Sequence, residues 1–134
     1  AVRDRAVVGY VGFTDVWLDD LYVEPSASRE GVGSALLDLV KTRLVTGFGL
    51  WVFAQNAEAR AFYSQHGLLE LETTDGSANA EQCPDIRLVW PGRDPVVHLR
   101  NLLGEADAQL CELTARRTAL TAALDNLRQE TGLG

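Results

Sequence analysis

Apolar and polar positions along the chain fall into blocks whose period switches between about two and about 3.6 residues, the periods of strands and helices. AVVGYVGFT (residues 6–14) mixes β-branched and aromatic residues with glycine, as a strand ending in a turn does. VWLDDLYVEP (16–25) predicts a second strand, with Trp17, Leu21 and Val23 on one face, Asp19 interrupting that face and Pro25 ending the ladder. From Gly31 to Val45, Val32, Leu36, Leu39, Val40 and Leu44 recur at helical spacing. GFGLWVFAQ (47–55) is a nearly unbroken apolar run, which predicts a strand covered on both faces. NAEARAFYSQHG (56–67) opens on an Asn N-cap, carries Glu58 in the first turn and closes on Gly67, so both ends of a helix are marked. LLELETT (68–74) and DIRLVW (85–90) predict two last strands, joined as a hairpin through the polar loop DGSANAEQCP. The order strand–strand–helix–strand–helix–strand–strand is an α/β (α+β) pattern with a mixed sheet.

After WPGRDP, a Pro/Gly stretch, the pattern changes for good. Leu99, Leu103, Ala106, Leu110, Leu113, Arg117, Leu120, Leu124 and Leu127 follow one another in steps of four and three. That is a heptad seam over about four heptads, long enough to pair with another helix. The chain therefore divides into a domain over 1–92, a linker over 93–97 and a long helix over 98–134. The seam suits a helical partner better than a twisted sheet, which predicts a homodimer through residues 98–130. Arg117 stands in the seam, where a buried guanidinium costs several kcal/mol unless an anion meets it.

With 134 residues the chain has room for one modest core and an appendage. Its net charge of −7 argues against nucleic acid, which needs a basic face. Residues 1–92 hold 7 basic and 13 acidic side chains and residues 93–134 hold 5 and 6, so the acidity lies in the first part. There it either attracts a cationic small substrate or simply solubilises the surface. No apolar run approaches the ~18 residues of a membrane span, so no membrane partner is expected. Cys83 and Cys111 lack metal-ligand spacing and His66 and His98 stand alone, so we expect free thiols, a reducing cytoplasm and no metal site. The absence of an initiating Met, or of any Met, leads us to expect a piece of a longer chain.

The chemistry is concentrated in SREGVGSALL (28–37), a glycine-rich loop between a strand and a helix. Unpaired N–H groups and the helix dipole favour an anion there, and glycine lets a ligand approach the backbone. The third glycine of a dinucleotide fingerprint is absent, and no Gly-Lys-Ser/Thr follows as in a P-loop.

LYVEPSASREGVGSALLDLV followed by NAEARAFYSQHGL resembles the GNAT superfamily of acyl-CoA-dependent N-acyltransferases. The matching positions are Leu21, Val23, Pro25, Gly31, Gly33, Asn56, Phe62, Tyr63, Gly67 and Leu68, over roughly residues 6–92. Ser28 departs from the usual Gln or Arg, and Arg29 beside it carries the charge instead. The resemblance implies a mostly antiparallel mixed sheet flanked by helices, and transfer of an acetyl group from acetyl-CoA to a primary amine on a small molecule or peptide. Acetyl-CoA would wedge between splayed strands 16–24 and 47–55, its pantetheine arm pairing with the backbone of Leu21, Tyr22 and Val23. The N–H groups of Arg29, Glu30, Gly31, Val32, Gly33 and Ser34 would take the pyrophosphate. Tyr63 would protonate the leaving thiolate. Asp19 and Asp20 are candidate bases or else solvated strand residues, and Asn56 is a helix cap or a CoA contact. Family members also carry a strand, two helices and a further strand ahead of residue 6, which build much of the acceptor pocket.

The last helix resembles the first helix of the all-helical chorismate mutases at Leu99, Arg100, Asp107, Leu110, Leu113, Arg117, Arg128, Gly132 and Leu133. That resemblance implies that Arg100, Arg117 and Arg128 bind substrate carboxylates. The reading carried forward is an N-acetyltransferase. Its alternatives are a bifunctional acetyltransferase–chorismate mutase, and a non-catalytic CoA-binding module with a dimerising helix.

Overall fold

A computed structural model describes residues 1–28 and 31–132. The chain divides into two compact units, Ala1–His98 and Leu99–Gly134.

In the first unit, β1 (Val2–Arg3) and β2 (Ala6–Val7) form a small hairpin that the hydrophobic pattern does not announce. Asp4 and Arg5 turn it with φ of 49° and 65°, a two-residue geometry that matches strand twist. The strand predicted over 6–14 is thus broken at Val8, whose N–H donates to the Ala1 carbonyl, and resumes as β3 (Gly9–Phe13). β4 (Leu18–Val23), a short 3-10 turn (Pro25–Ala27) and helix α1 (Val32–Arg43) follow. Then come β5 (Phe48–Phe53), α2 (Ala57–Gln65), β6 (Leu69–Thr73) and β7 (Asp85–Trp90).

β3 pairs antiparallel with β4, and β7 lies between β5 and β6, antiparallel to both. A single parallel bridge, Trp17 with Gly49, joins these two half-sheets. There the Gly49 N–H donates to the Val16 carbonyl at 2.9 Å. Away from the core, the Trp17 ring lies over Gly49, where an added Cβ would come within 3.1 Å of it.

Two helices cover one face. Leu37 and Val40 of α1 and Tyr63 of α2 pack with Phe48, Leu50, Ile86 and Leu88. The helices also touch each other: Gly33 sits against Phe62, Ser34 Oγ is 3.1 Å from His66 Nε2, and Lys41 Nζ donates to the His66 carbonyl.

Two expectations from periodicity need correction. Leu37, not Leu39, joins the core; Leu39 is 43% exposed. On the helical wheel Leu39 lies about 60° and Leu37 about 100° from the centre of the Val32–Leu36–Val40 stripe, on opposite sides, so spacing favours Leu39 and the position of the sheet reverses it. β5 is not covered on both faces throughout, since Trp51 is 44% exposed. β4 leaves β5 beyond Gly49, so the second half of β5 borders open space.

Helix α3 runs from Pro95 to Thr131, three residues earlier than the predicted start at 98. Asp94 Oδ1 accepts the Val97 N–H and Pro95 fills the first helical position, a start signal within the expected linker. Its 37 residues span about 55 Å at 1.5 Å each. In the second unit Leu103, Leu110, Leu113, Leu120, Leu124 and Leu127 are all exposed.

Leu37 is fully enclosed. Leu37→Ala is expected to cost about 2–5 kcal/mol in urea denaturation, and Leu39→Ala under about 1 kcal/mol.

Candidate active site

The site follows from how β4 ends its association with β5. In β3, Gly12 faces Asp20 and Phe13 faces Leu18, which leaves Asp19 as an extra residue in β4. Such a bulge bends its strand and sharpens its twist. It comes two residues after the Trp17–Gly49 bridge, so β4 and β5 meet there and then diverge. The bulge also explains the broken alternation in LDDL: Leu18 and Leu21, three apart, both reach the core. Sequence reading saw Asp19 as an interruption; it is an insertion.

The opened edge of β4 carries unpaired backbone groups. The Glu24 N–H donates to the Val8 carbonyl at 2.6 Å. In an antiparallel ladder this orientation alternates, so Tyr22 also turns its backbone groups to β3. Leu21 and Val23 turn theirs the other way, into the gap, where no strand pairs with them among the described residues. Of the three residues assigned to a pantetheine arm, these two face it. The Tyr22 side chain lies with Tyr10 on the face away from the helices and donates to Glu24 Oε2. That carboxylate is the main reason its phenol pKa is raised.

Two open cavities line the gap, one of about 470 Å³ and one of about 410 Å³. Leu21, Asn56, Ala59 and Tyr63 border both, so the cavities meet there. The smaller reaches the N-terminus of α1 through Ser28 and Gly33. Gly31 caps that helix with φ 81°, a conformation in which a side chain is strained. Val32, Gly33 and Ser34 form its first turn, and the Ser34 side chain is engaged with His66, leaving its backbone N–H as the group at the helix end. Arg29 and Glu30 lie outside the described residues.

The larger cavity takes Asp19 and Asp20, both exposed, from β4 and the second half of β5 from the other wall. It also takes Asn79, Glu81 and Asp85, none of which the sequence reading singled out. Only the hairpin expectation for the 75–84 loop could have found them, because folding that loop back places it beside β5.

Asn56 caps α2, its Oδ1 accepting the Ala59 N–H at 3.1 Å, and also borders both cavities. Tyr63 is 8% exposed, and its hydroxyl has no hydrogen-bond partner among the described residues. Burial pushes its pKa up to about 12. Arg100, Arg117 and Arg128 are exposed in the second unit, spread over about 42 Å of helix axis, and do not converge within a single chain. Among the described residues no group of His, Cys, Asp and Glu is arranged to hold a metal, and both cysteines are free. No described helix is long and apolar enough to cross a membrane.

The family model for the acetyltransferase (GNAT) domain matches residues 1–67, half of the chain. The chain belongs to the GNAT acetyltransferase family. Solved structures of the same fold include apo YjaB from Escherichia coli, 23% identical with a TM-score of 0.61, over 68% of this chain and 62% of that one. Ard1 from Thermoplasma volcanium is 21% identical, with a TM-score of 0.58, over 68% and 67%. The PaiA N-acetyltransferase from Thermoplasma acidophilum, in complex with coenzyme A, is 23% identical, with a TM-score of 0.52, over 67% and 57%. At these identities the likeness establishes the fold. The chain spans about 62% of the length of the Escherichia coli protein. No curated protein sequence matches it.

The buried phenol has a consequence for stability. Its folded-state pKa of about 12 lies above the ~10 of an exposed phenol. The stability it contributes is therefore complete below about pH 10 and is lost as pH rises through about 12. Ultraviolet titration is expected to show a tyrosine step at about pH 12, and Tyr63→Phe to remove it and flatten the alkaline loss of stability.

Proposed function

We propose that this chain carries the acetyl-CoA site of an N-acetyltransferase, whose acceptor is a primary amine on a small molecule or peptide. The observation that carries the reading is the parting of β4 from β5, with Tyr63 where the two cavities meet and the α1 N-terminus at the mouth of one.

The residues present fit the co-substrate. The outward backbone groups of Leu21 and Val23 offer a strand edge to an amide-bearing pantetheine arm. The first-turn N–H groups of α1, from Val32 to Ser34, offer an anion site for the pyrophosphate, and the Arg29 and Glu30 N–H groups also assigned to it lie outside the described residues. When bound, acetyl-CoA supplies a thioester activated for attack. One N–H of the β4 edge then donates to the carbonyl oxygen, where negative charge develops as an amine attacks. Tyr63 acts at the sulfur. A phenol at about 12 does not hand its proton freely to a thiolate whose conjugate acid lies near ~8.5, so its part is to direct a hydrogen bond at charge growing on the leaving sulfur. Asp19, Asp20 or water accepts the proton from the amine.

Tyr63→Phe keeps the ring and its packing, so kcat is expected to fall about 10²-fold with little loss of stability at neutral pH. An unaltered kcat would return Tyr63 to a core role. For the pyrophosphate site, an added Cβ at Gly33 meets Phe62 and Val23 at 3.4–3.5 Å, ordinary contact, so Gly33→Ala controls for bulk. Calorimetry with acetyl-CoA should show near-native affinity for Gly33→Ala and a sharp loss for Gly33→Asp. Equal affinities in the two variants would remove the pyrophosphate from this helix end.

For the second unit we propose pairing with a second copy along the heptad seam. Leu103 and Leu120 are 62% and 63% exposed, and the 3.5-residue period fits a helical partner. Wild-type protein is expected to sediment as a dimer at tens of micromolar, and Arg117→Leu to tighten it. A monomer at that concentration overturns the pairing.

A further inference from the structure

We propose that the second unit pairs with its copy antiparallel, in the heptad register that sets Arg117 opposite Ala106 and beside Asp107 of the other chain. This rests on the pairing read above and fixes its direction and alignment.

The seam departs from leucine at two positions, and the two are complementary. Arg117 is its one charged residue and Ala106 its smallest, 11 positions apart. Both are exposed on one uninterrupted helix, with Leu103, Leu110, Leu113 and Leu120 exposed around them. Three and four residues to either side of Arg117 stand only Leu and Thr, so its own helix offers it no carboxylate. At the same distances from Asp107 stand only Leu, Gly and Cys, so Asp107 finds no cation there. Neither residue makes an ion pair among the described residues. The helix thus presents an unmet cation in the seam and an unmet anion at its edge.

Direction follows from charge. A parallel pair in register sets Arg117 against its own copy, with Arg116 of both chains flanking the same level. Four guanidiniums then share one level, and the flanking positions a turn either side hold no carboxylate. Reversing one helix removes this. A two-fold axis across the helices keeps the same edge of the seam on the same side of the pair in both copies. The edge beside the row of Arg117 carries Arg100, Asp107, Thr114, Thr121 and Arg128, of which Asp107 alone is acidic. With Arg117 opposite Ala106 of the second copy, Asp107 of that copy lies about 1.5 Å of rise further on. The small alanine leaves the guanidinium room to turn toward that carboxylate. The contact forms twice, and Arg117 stands about 16 Å along the axis from its copy.

The rest of the overlap is apolar. Leu99 faces Leu124, Leu103 faces Leu120 and Leu110 faces Leu113. Sliding the pair by one heptad sets Thr114 or Arg100 beside Arg117 in place of Asp107. A lone polar residue in a seam specifies alignment at a cost in stability, and Arg117 fits that part.

Spin labels on the whole chain test the direction, at Gln129→Cys in a Cys83→Ser, Cys111→Ser background. The proposed alignment separates the two labels by about 52 Å of rise, whereas a parallel pair brings them within about 30 Å. Arg117→Glu and Asp107→Arg are each expected to raise the dimer Kd about tenfold or more in sedimentation. An equimolar mixture of those two variants is expected to recover native affinity, because both contacts then join opposite charges. Arg117→Leu is expected to add a short distance to the long one, since leucine no longer tells the arrangements apart. A short distance alone in the wild type, or one near about 42 or 63 Å, overturns the alignment and leaves the pairing standing. A mixture no tighter than its components, or a single long distance in Arg117→Leu, removes Arg117 as the residue that selects it. A monomeric wild type removes pairing and alignment together.

Discussion

Among the described residues one backbone pairing, Trp17 with Gly49, joins the two half-sheets, and the gap beyond it depends on the pairing going no further. Further rungs in the same parallel register would bring Leu21 opposite Phe53 and close the gap. Gly49 permits the pairing because the Trp17 ring occupies the space where a side chain would stand. On that ring lies the Arg87 guanidinium, 5.2 Å from its centre, which ties the crossing point to β7. The bulge at Asp19 then turns β4 away within two residues. A contact, a missing side chain and an inserted residue define the cleft together.

Helix packing supplies the floor. Phe62 of α2 rests against Gly33, while the next residue, Tyr63, points into the sheet. The same helix pair therefore sets the α1 N-terminus and the phenol in relation to each other. His66 reinforces the arrangement by accepting Lys41 at its carbonyl and meeting Ser34 at its ring. Sequence-level reading treated Gly33 as a ligand approach and Ser34 as a ligand contact; the packing gives both a structural duty as well.

The order of elements was legible because each carries its period and its end signals: Asn56 and Gly67 for α2, Pro25 after β4, the glycine-rich turn before α1. What could not be read has physical causes. A helical wheel sets Leu39 nearer the apolar stripe than Leu37, and tertiary placement reverses that order. The bulge at Asp19 appears in sequence as a polar residue on an apolar face, which a solvent-exposed strand would show equally well. The start of α3 was present in Asp94-Pro95 but lay inside a segment whose Pro and Gly suggested a linker. Of the candidate site, the glycine-rich helix end was legible in the residues themselves, while the β4 edge and Tyr63 came with the resemblance to the GNAT superfamily. Asn79, Glu81 and Asp85 were not, since nothing local says where a polar loop folds.

The unpaired edge of β4 links occupancy to folding. A molecule that hydrogen-bonds to Leu21 and Val23 stands where another strand would, and it adds the rungs that the two half-sheets lack. The hairpin of β3 and β4, anchored through one bridge, is then the part whose opening such a molecule suppresses most. Its amides would slow their exchange with solvent on binding more than those of β7, which is flanked on both sides already.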